Sequence, residues 1–465
     1  MTRARRVVVV GGGLAGITAA LECADAGAAV TLVEVRRRLG GAAYSFEREG
    51  MTFDNGQHVF LRCCTAYRAL LGRMGSERHV RIQPRLEIPV LKPGARPVLL
   101  RRSRLPAPLH LAGALARYPH LSLAQRLRAG LAARALGNLD AGDGALDQVT
   151  LGEWLSRHRQ GPEAVSALWD LIALPTLNLP AASASLLLGA FVFQTGLLSS
   201  ADAGDIGFHS GTLAETISEP AAGALEQAGV DARLGWRAES VQRQGSAFVV
   251  AGPEGGLIAD AVIVAVPHAR AAVLLQSLLP ASAPAWAGLG SSPIINLHVV
   301  YDRRVCEHAF LAGVGTPVQY VFDRSRAARA PVGCQYLAVS LSAAEREMAM
   351  SVQALRERYL PALEELFGGA RGARVVQFRV TREHAATFRP SPGSAARRPT
   401  ARTSLPGLAL AGAWTDTGWP ATLEGAVRSG HAAANAALHA LELEHPEAPA
   451  SDSAAFAASA RVPSA

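Results

Sequence analysis

The chain opens on an apolar β-branched run, Arg6-Val7-Val8-Val9-Val10, cut short by three glycines. Apolar positions then recur at helical spacing through residues 14–26. Gly27 punctuates before a second β-branched run over residues 29–34. The pattern predicts strand, turn, helix, strand, a βαβ unit about 30 residues long. Between residues 80 and 102 short apolar segments alternate with Pro and Gly, and Pro93-Gly94 predicts a hairpin turn. Residues 104–139 read as helix, rich in leucine and arginine, and residues 145–188 as further helices with proline breaks. Strands return over residues 230–266, ending in Ala261-Val262-Ile263-Val264-Ala265-Val266-Pro267. Residues 294–301, 318–322 and 336–341 read as strands of one antiparallel sheet. Residues 342–367 then read as a helix and 374–381 as a strand. A short strand at 408–411 feeds Gly412, and residues 422–441 form a helix. From Glu442 onward the Pro-, Ala- and Ser-rich chain reads as a disordered tail. No internal repeat is evident.

Two long uncharged stretches, residues 171–201 and 271–301, invite a membrane reading. Pro175, Pro180, Asn178 and Gln194 interrupt the first; Pro280, Pro284, Pro293, Asn296 and His298 interrupt the second. Helix breakers and mid-run amides argue against a simple span and for buried core or an apolar cavity wall. Residues 171–201 are the candidate lining of that cavity.

The composition is globular: 465 residues, 49% hydrophobic and 18% charged. The net charge is +8, yet Lys92 is the single lysine among 46 basic residues. That imbalance reads as GC-rich codon usage. The arginines are scattered without interleaved aromatics, which argues against nucleic acid. Five cysteines, Cys23, Cys63, Cys64, Cys306 and Cys334, form no CxxC and no metal-ligand spacing, so no metal is expected and a reducing compartment fits. Arg3, Arg5 and Arg6 before an apolar run mimic a signal peptide, but the glycines within the run have a better use.

That use is the segment Gly11-Gly12-Gly13-Leu14-Ala15-Gly16, which fits GxGxxG. Gly11 permits a tight turn, Gly13 lets the backbone approach a pyrophosphate, and Gly16 lets helix and strand pack closely. The helix start offers free N–H groups and partial positive charge to phosphate. Glu34 follows Gly16 by 18 residues at the end of the second strand, placed to accept from a ribose 2′-OH. NAD and FAD both suit this site; a 2′-phosphate would be repelled by Glu34.

The continuation Glu34-Val35-Arg36-Arg37-Arg38-Leu39-Gly40-Gly41 resembles the E-x-x-x-R-x-G-G segment of the amine oxidase and phytoene desaturase flavoproteins. A second segment resembles their C-terminal cofactor motif: Ala411-Gly412-Ala413-Trp414, then Gly418-Trp419-Pro420-Ala421-Thr422-Leu423-Glu424-Gly425-Ala426. The resemblance implies FAD, held by Gly11, Gly13, Leu14, Ala15, Gly16, Glu34, Arg36, Arg38, Gly40, Gly41, Ala42, Gly56, Gln57, Val241, Gly412, Ala421, Thr422 and Gly425. Val241 matches the position next to adenine, and a helix start near Thr422 faces the flavin's carbonyls. Two positions depart from the motif: Ala42 stands where an arginine is usual, and Ala413 where an acid is usual. Arg36, Arg38 and Asp416 are the candidate substitutes.

The stretches Gly41-Ala42-Ala43-Tyr44-Ser45-Phe46 and Phe53-Asp54-Asn55-Gly56-Gln57-His58-Val59-Phe60-Leu61-Arg62-Cys63-Cys64 resemble the hydroxysqualene dehydroxylase family, as does Leu174-Pro175-Thr176-Leu177-Asn178. That family implies reductive dehydroxylation of hydroxysqualene, an apolar isoprenoid, to squalene in hopanoid synthesis. Asp54 to His58 then runs alongside the flavin, with His58 the candidate proton donor and Asp54 either orienting it or only fixing the loop. Cys63 and Cys64 read as packing at a helix start, and Tyr44, Tyr67 and Trp419 as a π-face wall or simple core. Leucines and arginines over residues 104–139 suit an interfacial helix on anionic lipid, against the alternative of a helix facing the core. The expected location is cytoplasmic, peripheral on the inner membrane face. No second dinucleotide motif appears, so the electron donor is unknown: a separate reductase or NAD(P)H.

The expected architecture is α/β: a discontinuous Rossmann-type FAD-binding domain (residues 1–80, 205–290 and 395–441) with an inserted α+β substrate domain (81–204 and 291–394), amine-oxidase-like. The rival readings are a carotenoid-type desaturase, an amine oxidase, and a non-catalytic flavin- or isoprenoid-binding protein.

Overall fold

The computed structural model describes residues 4–443. The expected disordered tail lies outside the described residues from 444 onward, while Leu443 packs on the core.

Strand β1 (Arg6–Val10) lies in the middle of a five-stranded sheet. It pairs in parallel with β2 (Ala29–Glu34) on one side and with Ala261–Val264 on the other. Asp231–Leu234 and Leu408–Leu410 close the two edges, also in parallel. The unbroken valine run follows from burial on both faces. Val7 and Val9 pack beneath helix α1 (Leu14–Asp25) and helix Leu423–Ala440. Val8 and Val10 face the opposite way, onto Phe248 and Val250 of the meander Ser240–Gln244, Ala247–Gly252 and Gly255–Ala259. The sheet thus collects strands from across the chain, the discontinuous Rossmann-type arrangement.

A seven-stranded sheet runs in the order Val375–Phe388, Ser291–Tyr301, Gln335–Ser342, Tyr320–Asp323, Phe310–Gly313, Glu87–Leu91, Val98–Arg101. Its pairings are antiparallel except that between Phe310–Gly313 and Glu87–Leu91. The hairpin expected at Pro93-Gly94 is present, with Ile88 opposite Leu100. The strand expected at 374–381 runs on to Phe388, and its register shifts between Ser292 and Ile294 of its partner. Pro293 sits at that shift and has no N–H to give the ladder.

The helix expected over 342–367 is two, Glu345–Met348 and Val352–Leu366. Ser351 divides them by capping the second, its hydroxyl accepting from Ala354 N at 3.1 Å. The uncharged stretch from 171 holds helices Asp170–Leu177 and Leu186–Phe193, separated by Asn178 in the left-handed region and by Pro180. The second is mostly buried; the first buries Leu171, Ala173 and Leu177 and exposes Pro175. Among the described residues no helix is long and apolar enough to cross a membrane.

Candidate functional site

The turn after β1 is built for close approach. A Cβ on Gly16 would collide with the Gly11 carbonyl oxygen, and one on Gly41 would lie 2.8 Å from Gly13 Cα, so the two glycine segments touch backbone to backbone. Helix α1 begins with no side-chain cap. Its first N–H groups are therefore open to an anion. Glu34 is buried and accepts from Gly12 N and Arg36 N, both at 2.7 Å. The carboxylate thereby fixes the turn and the start of the next segment together. Arg38 lies over the Tyr44 ring at 3.6 Å and donates to Gly41 O at 3.1 Å, while Arg36 is exposed. Burial lowers the Arg38 pKa against the pull of Tyr44 and Glu34. Leu14, Ala15, Gly40 and Gly41 all line up at this junction, and Ala42 offers only its carbonyl, to Asn55.

The segment from Asp54 to His58 is held from two sides. From the seven-stranded sheet, Asn296 Nδ2 and Thr381 Oγ1 donate to Asn55 O at 3.0 and 2.9 Å. The Asn55 amide in turn donates to Glu383 at 2.9 Å and accepts from Tyr44 N at 3.0 Å. From the other side, Asp54 is fully engaged. It accepts from Ser45 Oγ at 2.7 Å and Leu213 N at 2.9 Å, and pairs with Arg324 at 2.8 Å. The Arg324 guanidinium also donates to the His209 and Gly211 carbonyls. Asp54 therefore fixes the loop and makes no hydrogen bond to His58.

His58 is half-buried and its ring lies beside Gly56, which is itself packed on Asn296. The His58 ring forms no hydrogen bond among the described residues. It lines a recess with Asp54, Gln57, Val59, Phe208, His209, Leu213, Phe322 and Arg324. Burial lowers its pKa, opposed by the Asp54 and Glu383 charges. His209 stands behind it: Nδ1 meets the His58 carbonyl at 2.7 Å and Nε2 meets Tyr67 Oη at 2.8 Å. A carbonyl can only accept, so Nδ1 carries the proton and Nε2 accepts from the tyrosine. Burial pushes His209 down to about 3, which keeps it neutral. Tyr67 is thus wholly buried against Phe60 and His209, and is no part of a cavity wall.

The C-terminal segment is shaped by a buried arginine. Arg398 donates to the carbonyls of Thr415 and Trp419, each at 2.6 Å, and more weakly to Trp414 O at 3.4 Å. Thr422 caps helix Leu423–Ala440, accepting from Gly425 N at 3.1 Å. Gly412 N donates to Ser429 Oγ at 2.8 Å. Trp419 meets Phe191 edge-on, ring centres 5.1 Å apart. Asp416 is exposed and caps its own loop at Gly418 N, so it takes no place at Ala413. Glu424, fully buried, reaches out of this helix to accept from Ala66 N and Tyr67 N at 3.1 and 2.7 Å. It thereby caps helix Thr65–Arg73 from the far end of the chain. Val241 has a fully buried side chain in the core under the parallel sheet.

These segments fit a flavin dinucleotide. An uncapped helix start and abutting glycines suit the pyrophosphate. Gln57 Nε2 and Asn296 Oδ1 are buried polar atoms with no partner among the described residues, one donor and one acceptor. A flavin ring edge offers both complements. Five residues important to this geometry were not singled out from sequence: Arg324, His209, Glu383, Asn296 and Arg398. Only Asn296 carried a signal. It and His298 stand two apart in an uncharged stretch, which places both on one face of a strand.

The family model for flavin containing amine oxidoreductases matches residues 14–438. The chain is 29% identical over 454 residues to hydroxysqualene dehydroxylase of Sinorhizobium fredii, covering 93% of this chain and 98% of that one. It is 26% identical over 438 residues to hydroxysqualene dehydroxylase of Zymomonas mobilis, covering 92% and 98%. It is also 26% identical over 471 residues to 15-cis-phytoene desaturase of Narcissus pseudonarcissus, covering 94% and 80%. The fold is similar to that of cyclohexylamine oxidase from Brevibacterium oxydans, with a TM-score of 0.72 at 18% identity over 95% of this chain and 100% of that one. The family match runs along nearly the whole chain: the chain belongs to the flavin containing amine oxidoreductase family, and is an oxidoreductase with FAD as its cofactor.

Proposed function

We propose that the enzyme catalyses reductive dehydroxylation of hydroxysqualene, or a closely similar apolar isoprenoid alcohol, to squalene in hopanoid or triterpenoid synthesis. The observation that carries this reading is the His58 imidazole, free of hydrogen bonds among the described residues, in a recess that Val59, Phe208, Leu213 and Phe322 share with Asp54, Gln57, His209 and Arg324, on the loop beside the cofactor segments. The two hydroxysqualene dehydroxylase relatives support it by their length of match.

The overall reaction exchanges a hydroxyl for hydrogen: alcohol and reduced FAD give hydrocarbon, water and oxidised FAD. Reduced FAD, when bound, supplies hydride to the carbon that loses oxygen. The residues supply the rest. Protonated His58 donates to the hydroxyl, which leaves as water from an allylic carbon. Val59, Phe208, Leu213 and Phe322 exclude bulk water from that step. Asp54, Arg324 and His209 hold the loop so that the ring meets its partner in one orientation. Gly11, Gly13, Gly16, Glu34, Gly41 and the segment from Gly412 to Gly425 bind the cofactor. The substrate partitions into lipid, so the reading puts the enzyme at the cytoplasmic face of the cell membrane, fed by a separate reductase or by NAD(P)H.

The phytoene desaturase relative favours a second reading, in which hydride runs from an isoprenoid hydrocarbon to the oxidised cofactor. One experiment separates them. Anaerobically reduced holoenzyme is incubated with hydroxysqualene and, separately, oxidised holoenzyme with phytoene. Squalene in the first supports dehydroxylation; a desaturated carotene in the second with no squalene in the first refutes it.

A further inference from the structure

Residues 88–139 carry nine basic side chains, Lys92 and eight arginines, and no Asp or Glu. The whole chain's net charge is +8, so everything outside this segment sums to −1. The excess positive charge of the molecule is thus a property of one stretch. The structure uses some of it internally. Arg102 pairs with Asp205 at 2.6 Å, Arg101 pairs with Glu87, and Arg126 donates to the carbonyls of Leu121 and Ala116. Arg104, Arg117, Arg128 and Arg134 are exposed and pair with no carboxylate among the described residues.

The same stretch holds helix Leu123–Gly137, opened by a capping box between Ser122 and Gln125. The helix has two apolar faces. Ala129, Ala132 and Leu136 are buried in the core. Leu123, Leu127 and Leu131, at i, i+4 and i+8, form a row on the other side and are 73%, 73% and 70% exposed. Leu105 and Leu109, at 53% and 56%, add to the exposed leucines just upstream. A row of three leucines turned to water opposes folding in isolation. The stretch that carries it has arginines but no carboxylate of its own; Glu163 approaches its start, accepting from Gln125 at 3.2 Å.

The row lies one helix away from the site. Gln194 Nε2 donates to Leu136 O at 2.9 Å and to Leu139 O at 2.8 Å, tying this helix to the end of helix Leu186–Phe193. On that second helix Phe191 meets Trp419 of the cofactor segment, and beyond it Gly196 abuts Leu61, three residues after His58.

We propose that Leu123, Leu127 and Leu131 dock the enzyme on an anionic bilayer, the leucines entering the acyl boundary while Arg104, Arg117, Arg128 and Arg134 meet lipid phosphates. This deepens the reading above, since an apolar isoprenoid resides in the bilayer. It stands on the surface itself, and its test reads binding without turnover.

The test is flotation of holoenzyme with phosphatidylcholine vesicles, with and without phosphatidylglycerol, at low and high salt. Wild type floats with the phosphatidylglycerol vesicles at low salt and is released by high salt. The triple variant Leu123→Ser/Leu127→Ser/Leu131→Ser binds about ten-fold more weakly or worse, with flavin content unchanged. Arg128→Gln/Arg134→Gln, which leaves the leucines in place, loses the preference for phosphatidylglycerol. Failure of wild type to float at low salt overturns the proposal. So does a triple variant that retains its flavin and floats like wild type. A wild-type dimer that the leucine variant abolishes, with neither binding vesicles, assigns the row to a second copy and overturns it too. Docking without squalene formation in a detergent assay would refute the dehydroxylation reading and leave the docking surface standing.

Discussion

At the scale of single residues, the loop from Asp54 to His58 separates two jobs that sequence spacing had joined. His58 faces the recess; Asp54 belongs to Arg324. Replacing His58 by Gln is expected to lower squalene formation by about 100-fold or more while the flavin absorbance is kept, since general acid catalysis contributes on that order. Burial lowers the His58 pKa, so the acid form dominates only below about 6.5. Turnover is therefore expected to fall as pH rises through a value below that, and the His58→Gln enzyme to lose this dependence. Asp54→Asn leaves Arg324 buried without its counter-charge and is expected to cost about 3–5 kcal/mol by urea unfolding.

Two other histidines act on stability. Burial drives His209 and His298 each from 6.5 down to about 3. The unfolded chain then binds more protons than the folded one between those values. Their contribution is complete above pH 6.5 and is lost as pH falls toward 3, at about 1.4 kcal/mol per pH unit for each. Urea midpoints measured at about pH 7 and about pH 5 are expected to drop accordingly. Asp54 and His58 were legible because they sit in one short motif. Arg324 was not, because it is 270 residues away and nothing in its neighbourhood marks it.

At the scale of elements, legibility followed periodicity. The unit β1, α1, β2 came through within a residue, because a valine strand buried on both faces and a glycine-started helix have distinct patterns. Strand Val375–Phe388 was read short. Most of its side chains are half-buried, with no alternation to follow past Thr381. Leucine content marked residues 104–139 as helical, but spacing alone does not say which of two apolar faces meets the core. The close packing of elements is testable at Gly430 in helix Leu423–Ala440. A Cβ there would collide with Ala15 O and come within 2.7 Å of Thr18 Cβ on helix α1. Gly430→Ala is expected to cost about 1–3 kcal/mol in urea unfolding and to loosen the flavin, since it pushes apart the two helices that flank the site.

At the scale of the whole molecule, the candidate cofactor site draws on segments near residues 11–41, 54–58 and 412–425. The order of those motifs made the discontinuous fold legible; the contacts that lock them together did not show in sequence. A ligand that joins three distant segments binds only the folded state. FAD at about 100 times its dissociation constant is expected to add about 2.7 kcal/mol to stability, read as a higher melting temperature of holoenzyme over apoenzyme.

Glu424 gives this long-range assembly a time axis. The helix Thr65–Arg73 receives its N-terminal carboxylate from a residue made about 360 positions later, at Tyr67 N 357 residues apart. The edge strand Leu408–Leu410 arrives equally late. At the usual pace of about 5–20 residues per second, the ribosome needs roughly 20–70 s to deliver them. Until they arrive, the sheet begun by β1 and β2 lacks its edge strand Leu408–Leu410, and helix Thr65–Arg73 lacks its N-terminal carboxylate. The nascent chain must wait, shielded from aggregation, until the segment 408–440 emerges, and loading with FAD is expected only after that segment is made.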